Sequence, residues 1–121
     1  MTNRELERAR HIQQCLDTLR PGLLEKYSDR LKGAPAQVMD NGLLQTLAFF
    51  YSKKKDLEYV EIANHITGWL KQCGLLTGPD PIRGIVDLDS TQYRQCSEEA
   101  IAWLNWAKRL ALARVAMATS R

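Results

Sequence analysis

Tyr93-Arg-Gln-Cys-Ser-Glu-Glu-Ala-Ile-Ala-Trp-Leu-Asn-Trp-Ala-Lys-Arg-Leu-Ala-Leu-Ala-Arg-Val-Ala-Met117 is the stretch that decides the fold. It contains neither proline nor glycine, and alanine and leucine, the strongest helix formers, recur through it. At about 100° per residue, Tyr93, Ala100, Leu104, Ala107, Ala111 and Val115 fall on one stripe. Trp103 and Leu110 flank that stripe on one side and Ile101 on the other. A period of 3.6 sustained this long predicts a long helix with a core face, capped by Asp89 or Ser90. Trp106 projects away from the stripe, between Glu99 and Ala113. A Trp on such a face is expected to anchor a subunit interface, with burial under a loop as the alternative. Arg94 and Lys108 border the stripe, Arg109 lies further out and Arg114 sits on the opposite flank. Helical spacing leaves two readings for these cations: stems that cover the core with wet heads, or contacts to phosphate.

Outward from this helix, the rest of the chain is also read as helical. A first helix spans about 3 to 19, with Ala9, Ile12, Leu16 and Leu19 on one face and Pro21-Gly22 as its stop. A short second helix covers about 23 to 31, with Leu23, Leu24, Tyr27 and Leu31 facing inward. Gly33 ends it and Pro35 opens a third, from about 35 to 53. Val38, Leu43, Leu44, Leu47, Ala48 and Phe50 or Tyr51 give that helix a broad apolar arc. Asn41-Gly42 lies inside it; the arc favours one continuous helix, and a turn at this pair is the alternative. Lys53-Lys54-Lys55 falls at its negative end, where the helix dipole favours cations, and Asp56 is a plausible cap for the next helix. That fourth helix, about 57 to 72, turns Ile62, Ile66, Trp69 and Leu70 inward, and Gly74 closes it. Gly78-Pro79-Asp80-Pro81 and Gly84 then mark a loop with at most one short turn. The expected fold class is all-α, a compact single-domain bundle (1–121) of about five helices with a long C-terminal helix.

The composition fits an ordinary globular protein: 45% of residues are apolar and 26% charged, which excludes the disordered class. No apolar run approaches the ~20 residues that cross a bilayer, and the charged start lacks a signal-peptide pattern, so the expected location is cytoplasmic. Cys15, Cys73 and Cys96 are odd in number and widely spaced, which reads as reduced cysteines serving as small hydrophobes. A net charge of +3 permits a phosphate-rich partner without requiring one.

Catalytic patterns are absent. His11 and His65 each read as isolated, without a helical His pair or a nearby carboxylate, so no metal site is expected. There is no Gly-rich phosphate loop, nucleophile elbow or paired-Cys motif. Glu98 and Glu99 suit the positive end of the last helix. Asp80, Asp87 and Asp89 lack the spacing of a calcium loop. Neither cofactor nor small-molecule substrate is expected, and the chain reads as an assembly subunit rather than an enzyme.

Two stretches carry a family resemblance. Asn41-Gly-Leu-Leu-Gln-Thr-Leu-Ala-Phe-Phe-Tyr51 resembles the N-G-L-x-Q-x-L-A-F segment of the small helical subunit of Cmr complexes, the type III-B CRISPR-associated RNA-targeting effectors. Tyr93-Arg94, with the run from Ala100 to Ala111, resembles that family's Y-R…A-x-x-x-L-x-W-x-K-R-x-A helix. Order, separation and chain length agree from about Pro35 onward. The N-terminal helix and the 74–89 loop carry no family motif.

The resemblance implies a non-catalytic subunit whose partners are other Cmr subunits, further copies of itself, and the guide and target RNA. Copies would stack into a minor filament beside the backbone subunits, while cleavage belongs to other chains. Arg94, Lys108 and Arg109 match family positions and become candidates for RNA contact, with Lys53 and Lys54 as second-tier candidates. Because any guide-selected target must be accepted, such contacts would go to phosphate and sugar, leaving base reading to pairing between strands. Trp106 could supply the heterologous contact that makes a filament rather than a ring. Two other classes compete with this reading: a helical DNA-binding regulator and a protein-binding helical adaptor.

Overall fold

The computed structural model describes residues 3–119, and among them it contains six helices and no strand. They are α1 (Arg4–Asp17), α2 (Leu24–Asn41), α3 (Leu43–Tyr51), α4 (Leu57–Gln72), α5 (Pro81–Val86) and α6 (Ser90–Thr119). The long α6 is the spine: α2 packs against it most extensively, α1 next, and α4 after them. None of the described helices is long and apolar enough to cross a membrane.

Local chemistry explains most boundaries. Asn3 caps α1, its side chain accepting from the amides of Glu5 and Leu6. At the end of α4, the Leu75 amide reaches back to the Leu70 carbonyl and the Gly74 amide to that of Lys71. With Gly74 at φ +75 this is a Schellman closure, and it confirms Gly74 as the stop. Asp89 rather than Ser90 caps α6: its carboxylate accepts from the Gln92 amide, and the Gln92 side chain accepts from the Asp89 amide. Asp56 holds the capping position of α4 but makes no side-chain capping bond, so that part of the expectation fails.

Two boundaries differ from the sequence reading. Gly33 and Pro35 do not separate two helices, because α2 runs through both to Asn41. A proline inside a helix costs about 3 kcal/mol. Leu31, Ala34 and Val38 are buried around it, and a fully buried Leu or Val contributes roughly 1.5–3 kcal/mol, so burial along this face offsets the cost. The break comes instead at Gly42, whose φ of 89° and ψ of 157° lie in a region essentially reserved for glycine. The third helix is therefore not continuous through Asn41-Gly42. The short turn allowed in the 74–89 loop is the six-residue α5, with Asp80 capping it and Pro81 at its first position.

One core draws on all six helices. Ile12 and Leu16 of α1, Tyr27 and Leu31 of α2, Leu43, Leu47 and Phe50 of α3, and Ile62, Ile66, Trp69 and Leu70 of α4 are buried, joined by Ile85 of α5. From α6 come Cys96, Ala100, Trp103, Leu104, Ala107 and Ala111. Trp103, on the flank of the stripe, is fully buried, whereas Tyr93 is half-buried and Val115 only partly covered. Past Ala111, Arg114 and Val115 are still partly covered, whereas Leu112 and Met117 are exposed.

Candidate subunit and nucleic-acid interface

Because α6 turns Ala100, Leu104, Ala107 and Ala111 inward, its opposite side is left uncovered by the other described helices. Arg109 is exposed there, exposed Arg94 lies toward it, and half-buried Lys108 stands at the border of the buried face. Lys108 and Arg109 follow Arg94 by four helical turns, so at ~1.5 Å per residue the two groups stand roughly 21 Å apart, within about 60° of one direction. Glu98 lies one turn beyond Arg94 on this side, yet no ion pair forms between them among the described residues.

Other arginines are already engaged. Arg8 donates to Glu99 from Nε at 2.6 Å and Nη2 at 3.0 Å, and the Trp69 indole donates to the same carboxylate at 3.0 Å. Burial would raise the Glu99 carboxyl, but the bonds from Arg8 and Trp69 outweigh it and hold it below the usual range. Arg8 is held above its ordinary value by the same bond to Glu99. This junction ties α1, α4 and α6, and the sequence reading missed it by giving Glu99 only a helix-end role. Arg114 pairs with Asp17 at 2.9 Å and also bonds Gln13, clamping α6 to α1. Its place on the flank opposite Arg94 was readable; its partners were not.

The remaining candidates lie elsewhere. Lys53 and Lys54 occupy the turn between α3 and α4; Lys54 is exposed, while the Lys53 ammonium stands 4.8 Å from the Phe49 ring centroid. Trp106 is half-buried and packs in part against the core, so it does not stand free on the outer face. The structure thus gathers Arg94, Lys108 and Arg109 on one side of one helix and leaves Lys53 and Lys54 on a different element.

The histidines are not isolated. His65 Nδ1 lies 2.7 Å from the Tyr27 hydroxyl, and its Nε2 is 3.4 Å from Glu61, one turn earlier on α4. These partners assign the tautomer: Tyr27 donates to Nδ1 and the Nε2 proton faces the carboxylate. The expectation of no nearby carboxylate is therefore wrong for His65, although no group of three His, Cys, Asp or Glu able to hold a metal exists among the described residues. His11 Nδ1 accepts from the buried Trp103 indole at 3.0 Å. Burial lowers His11, and burial followed by the influence of His11 lowers His65 to about 4. Cys15 and Cys96 are buried, Cys73 is half-buried, and all three are free of disulfides. Burial raises each thiol, Cys15 to about 12, which keeps them unreactive as small hydrophobes.

A family model described as CRISPR-associated protein (Cas_Cmr5) matches residues 4–114. The match therefore begins at the first residue of α1 and continues into the last turns of α6.

Proposed function

The chain belongs to the Cas_Cmr5 family, the small helical subunits of type III-B Cmr complexes in CRISPR defence, and from this premise we propose that it is a non-catalytic subunit contacting RNA backbone. The observation that supports the RNA contact is the uncovered side of α6, where Arg94, Lys108 and Arg109 have no carboxylate partner while Arg8 and Arg114 are paired. Cations spaced on a rigid helix suit the sugar–phosphate backbone of a guide–target duplex and are indifferent to sequence. Lys53 and Lys54 form a secondary basic site on the α3–α4 turn.

In this reading, copies of the chain stack head-to-tail in the cytoplasm beside the other Cmr subunits. The open part of Trp106, together with exposed Leu112 and Met117, provides apolar surface for that contact. A repeated, non-closing contact generates a filament. Weak individual phosphate contacts then add through effective concentration along it.

The deciding experiment is affinity purification of the tagged chain from its native cell, with sequencing of bound RNA. Recovery of a multi-subunit particle carrying guide RNA is expected. Recovery of the chain with proteins but no RNA would favour a plain adaptor, and its binding of duplex DNA in isolation would favour a regulator.

A further inference from the structure

The break at Gly42 creates a surface that the α6 reading does not use. Gln37 and Asn41 from the end of α2, and Gln45, Thr46 and Phe49 from α3, line one open cleft of about 310 Å³. The Thr46 hydroxyl is occupied by the Gly42 carbonyl, so the three amides are the free polar groups of its wall. Phe49 is 42% exposed, unusual for a phenyl ring that ends a tight aromatic cluster. Tyr59 meets it edge-on at 5.8 Å and Phe50 stands at 6.1 Å, so the ring is held in place. The Arg30 guanidinium covers Tyr59 at 4.8 Å, and the Lys53 ammonium covers Phe49 at the same distance.

We propose that this cleft seats one unpaired ribonucleotide of an RNA strand, with Phe49 as the stacking platform and Gln37, Asn41 and Gln45 as the polar wall. Three observations select that occupant. The lining holds no carboxylate, Lys53 covers the Phe49 ring, and Lys54 and Lys55 come next in the chain, so the charge suits a ligand bearing phosphate. Asp40 is the neighbouring carboxylate in sequence and does not line the cleft. The amides each offer donors and an acceptor, and so can meet a ribose hydroxyl or the edge of any base. An apolar protein surface pressed here would instead bury those amides without partners. Finally, an exposed cation–π contact is weaker than base–aromatic stacking, so an arriving base can displace the Lys53 ammonium from the ring and free it for the adjacent phosphate. The inference rests on the RNA-contact reading but uses residues outside α6.

The test titrates the full-length chain with single-stranded oligouridylate and, separately, with an RNA duplex, following side-chain amide resonances. Phe49→Ala and Gln45→Ala alter exposed residues and should leave the circular dichroism spectrum intact. Oligouridylate is expected to shift the amides of Gln37, Asn41 and Gln45. Phe49→Ala should weaken its binding about tenfold, the loss of one stacked base, without changing duplex affinity. Unchanged oligouridylate affinity in Phe49→Ala, with weakened binding in Lys108→Glu/Arg109→Glu, overturns the nucleotide seat and spares the α6 reading. Unchanged affinity in both variants, or no saturable binding to either RNA, overturns both. Loss of a protein partner from Phe49→Ala with RNA binding intact also overturns the seat.

Discussion

The Tyr93 hydroxyl stands 3.1 Å from the Leu44 amide nitrogen and accepts its hydrogen bond, so a side chain of α6 satisfies an orphan donor in the first turn of α3. The contact is possible because Gly42 breaks the chain there with φ +89 and brings no side chain of its own. A Cβ on Gly42 would meet the Tyr93 oxygen at 3.2 Å. The two stretches that resemble the family, far apart in sequence, therefore meet at this bond. It fixes where α3 begins and hence how the Gln45–Phe49 face is presented.

Substitution at this junction should be costly in a graded way. Tyr93→Phe leaves the Leu44 amide short of its partner and should lose about 1–2 kcal/mol. Gly42→Ala adds backbone strain to crowding of the Tyr93 hydroxyl and should lose about 2–3 kcal/mol. Gly33→Ala is the opposing control: that site is exposed, helical and free of neighbours within 4 Å, so it should gain about 0.5–1 kcal/mol. Urea denaturation of the three variants checks the order; equal stabilities for both alanine variants would refute the account of the break.

The Glu99 junction makes a second prediction. Glu99→Gln keeps an acceptor for the Trp69 indole but leaves Arg8, whose side chain is 16% exposed, without its carboxylate. A loss of about 2 kcal/mol is expected, the scale of a charge-assisted bond in a partly buried site. A melting temperature that does not fall would mean that Arg8 finds another partner.

Acid should weaken the fold before the carboxylates titrate. His65 binds a proton near pH 4 in the fold but near 6.5 when unfolded, and His11 is lowered in the same direction. Above about pH 6.5 neither state carries the His65 proton and stability is unaffected by it. Between 6.5 and 4 the unfolded chain binds more protons, so stability falls as pH falls, by on the order of 3 kcal/mol from His65. Glu61 at 3.4 Å favours the protonated form, but burial outweighs it. Protonating His11 at Nδ1 would also break the bond from buried Trp103. Denaturation at pH 7.5, 6 and 5 should show the fall, and His65→Gln should flatten it; an unchanged slope in that variant would assign the acid sensitivity elsewhere.

What the sequence revealed depended on how local each cause was. Gly74 closes α4 through bonds to carbonyls within the same turn, so it was legible, and Asp89 caps α6 through Gln92 three residues on, a choice the sequence had narrowed to Asp89 or Ser90. Pro35 misled because its cost is offset by burial against distant helices, which no local window contains. Asn41-Gly42 misled in the opposite sense. Val38, Leu43 and Leu47 all face the same core, so the apolar pattern continues across a backbone break. Trp106 was read onto the side that meets solvent, but periodicity gives an angle and not the reach of neighbours that half-cover the ring. The cations of α6 were legible as positions, and their freedom from partners was not. Arg94 and Arg114 look alike in sequence, yet only Arg114 meets Asp17 from another helix.

That freedom leads to the most direct test of the α6 surface. If Lys108 and Arg109 each neutralise a phosphate, their binding releases counterions, and log affinity falls by roughly 0.7–0.9 per contact for each tenfold rise in salt. In the assembled complex, Lys108→Glu/Arg109→Glu should weaken target-RNA retention and reduce the salt slope by about 1.4–1.8 per copy of the contact that is lost. Neither residue is part of the buried core, so the variant should remain folded. Lys71→Glu, an exposed cation in the last turn of α4, should leave the slope unchanged. Filter binding between 50 and 200 mM salt separates these outcomes on the scale of about ten-fold changes in affinity. A slope unaltered by the double reversal would remove Lys108 and Arg109 from the RNA contact, and an equal change in Lys71→Glu would show that net charge, not the side of α6, governs binding.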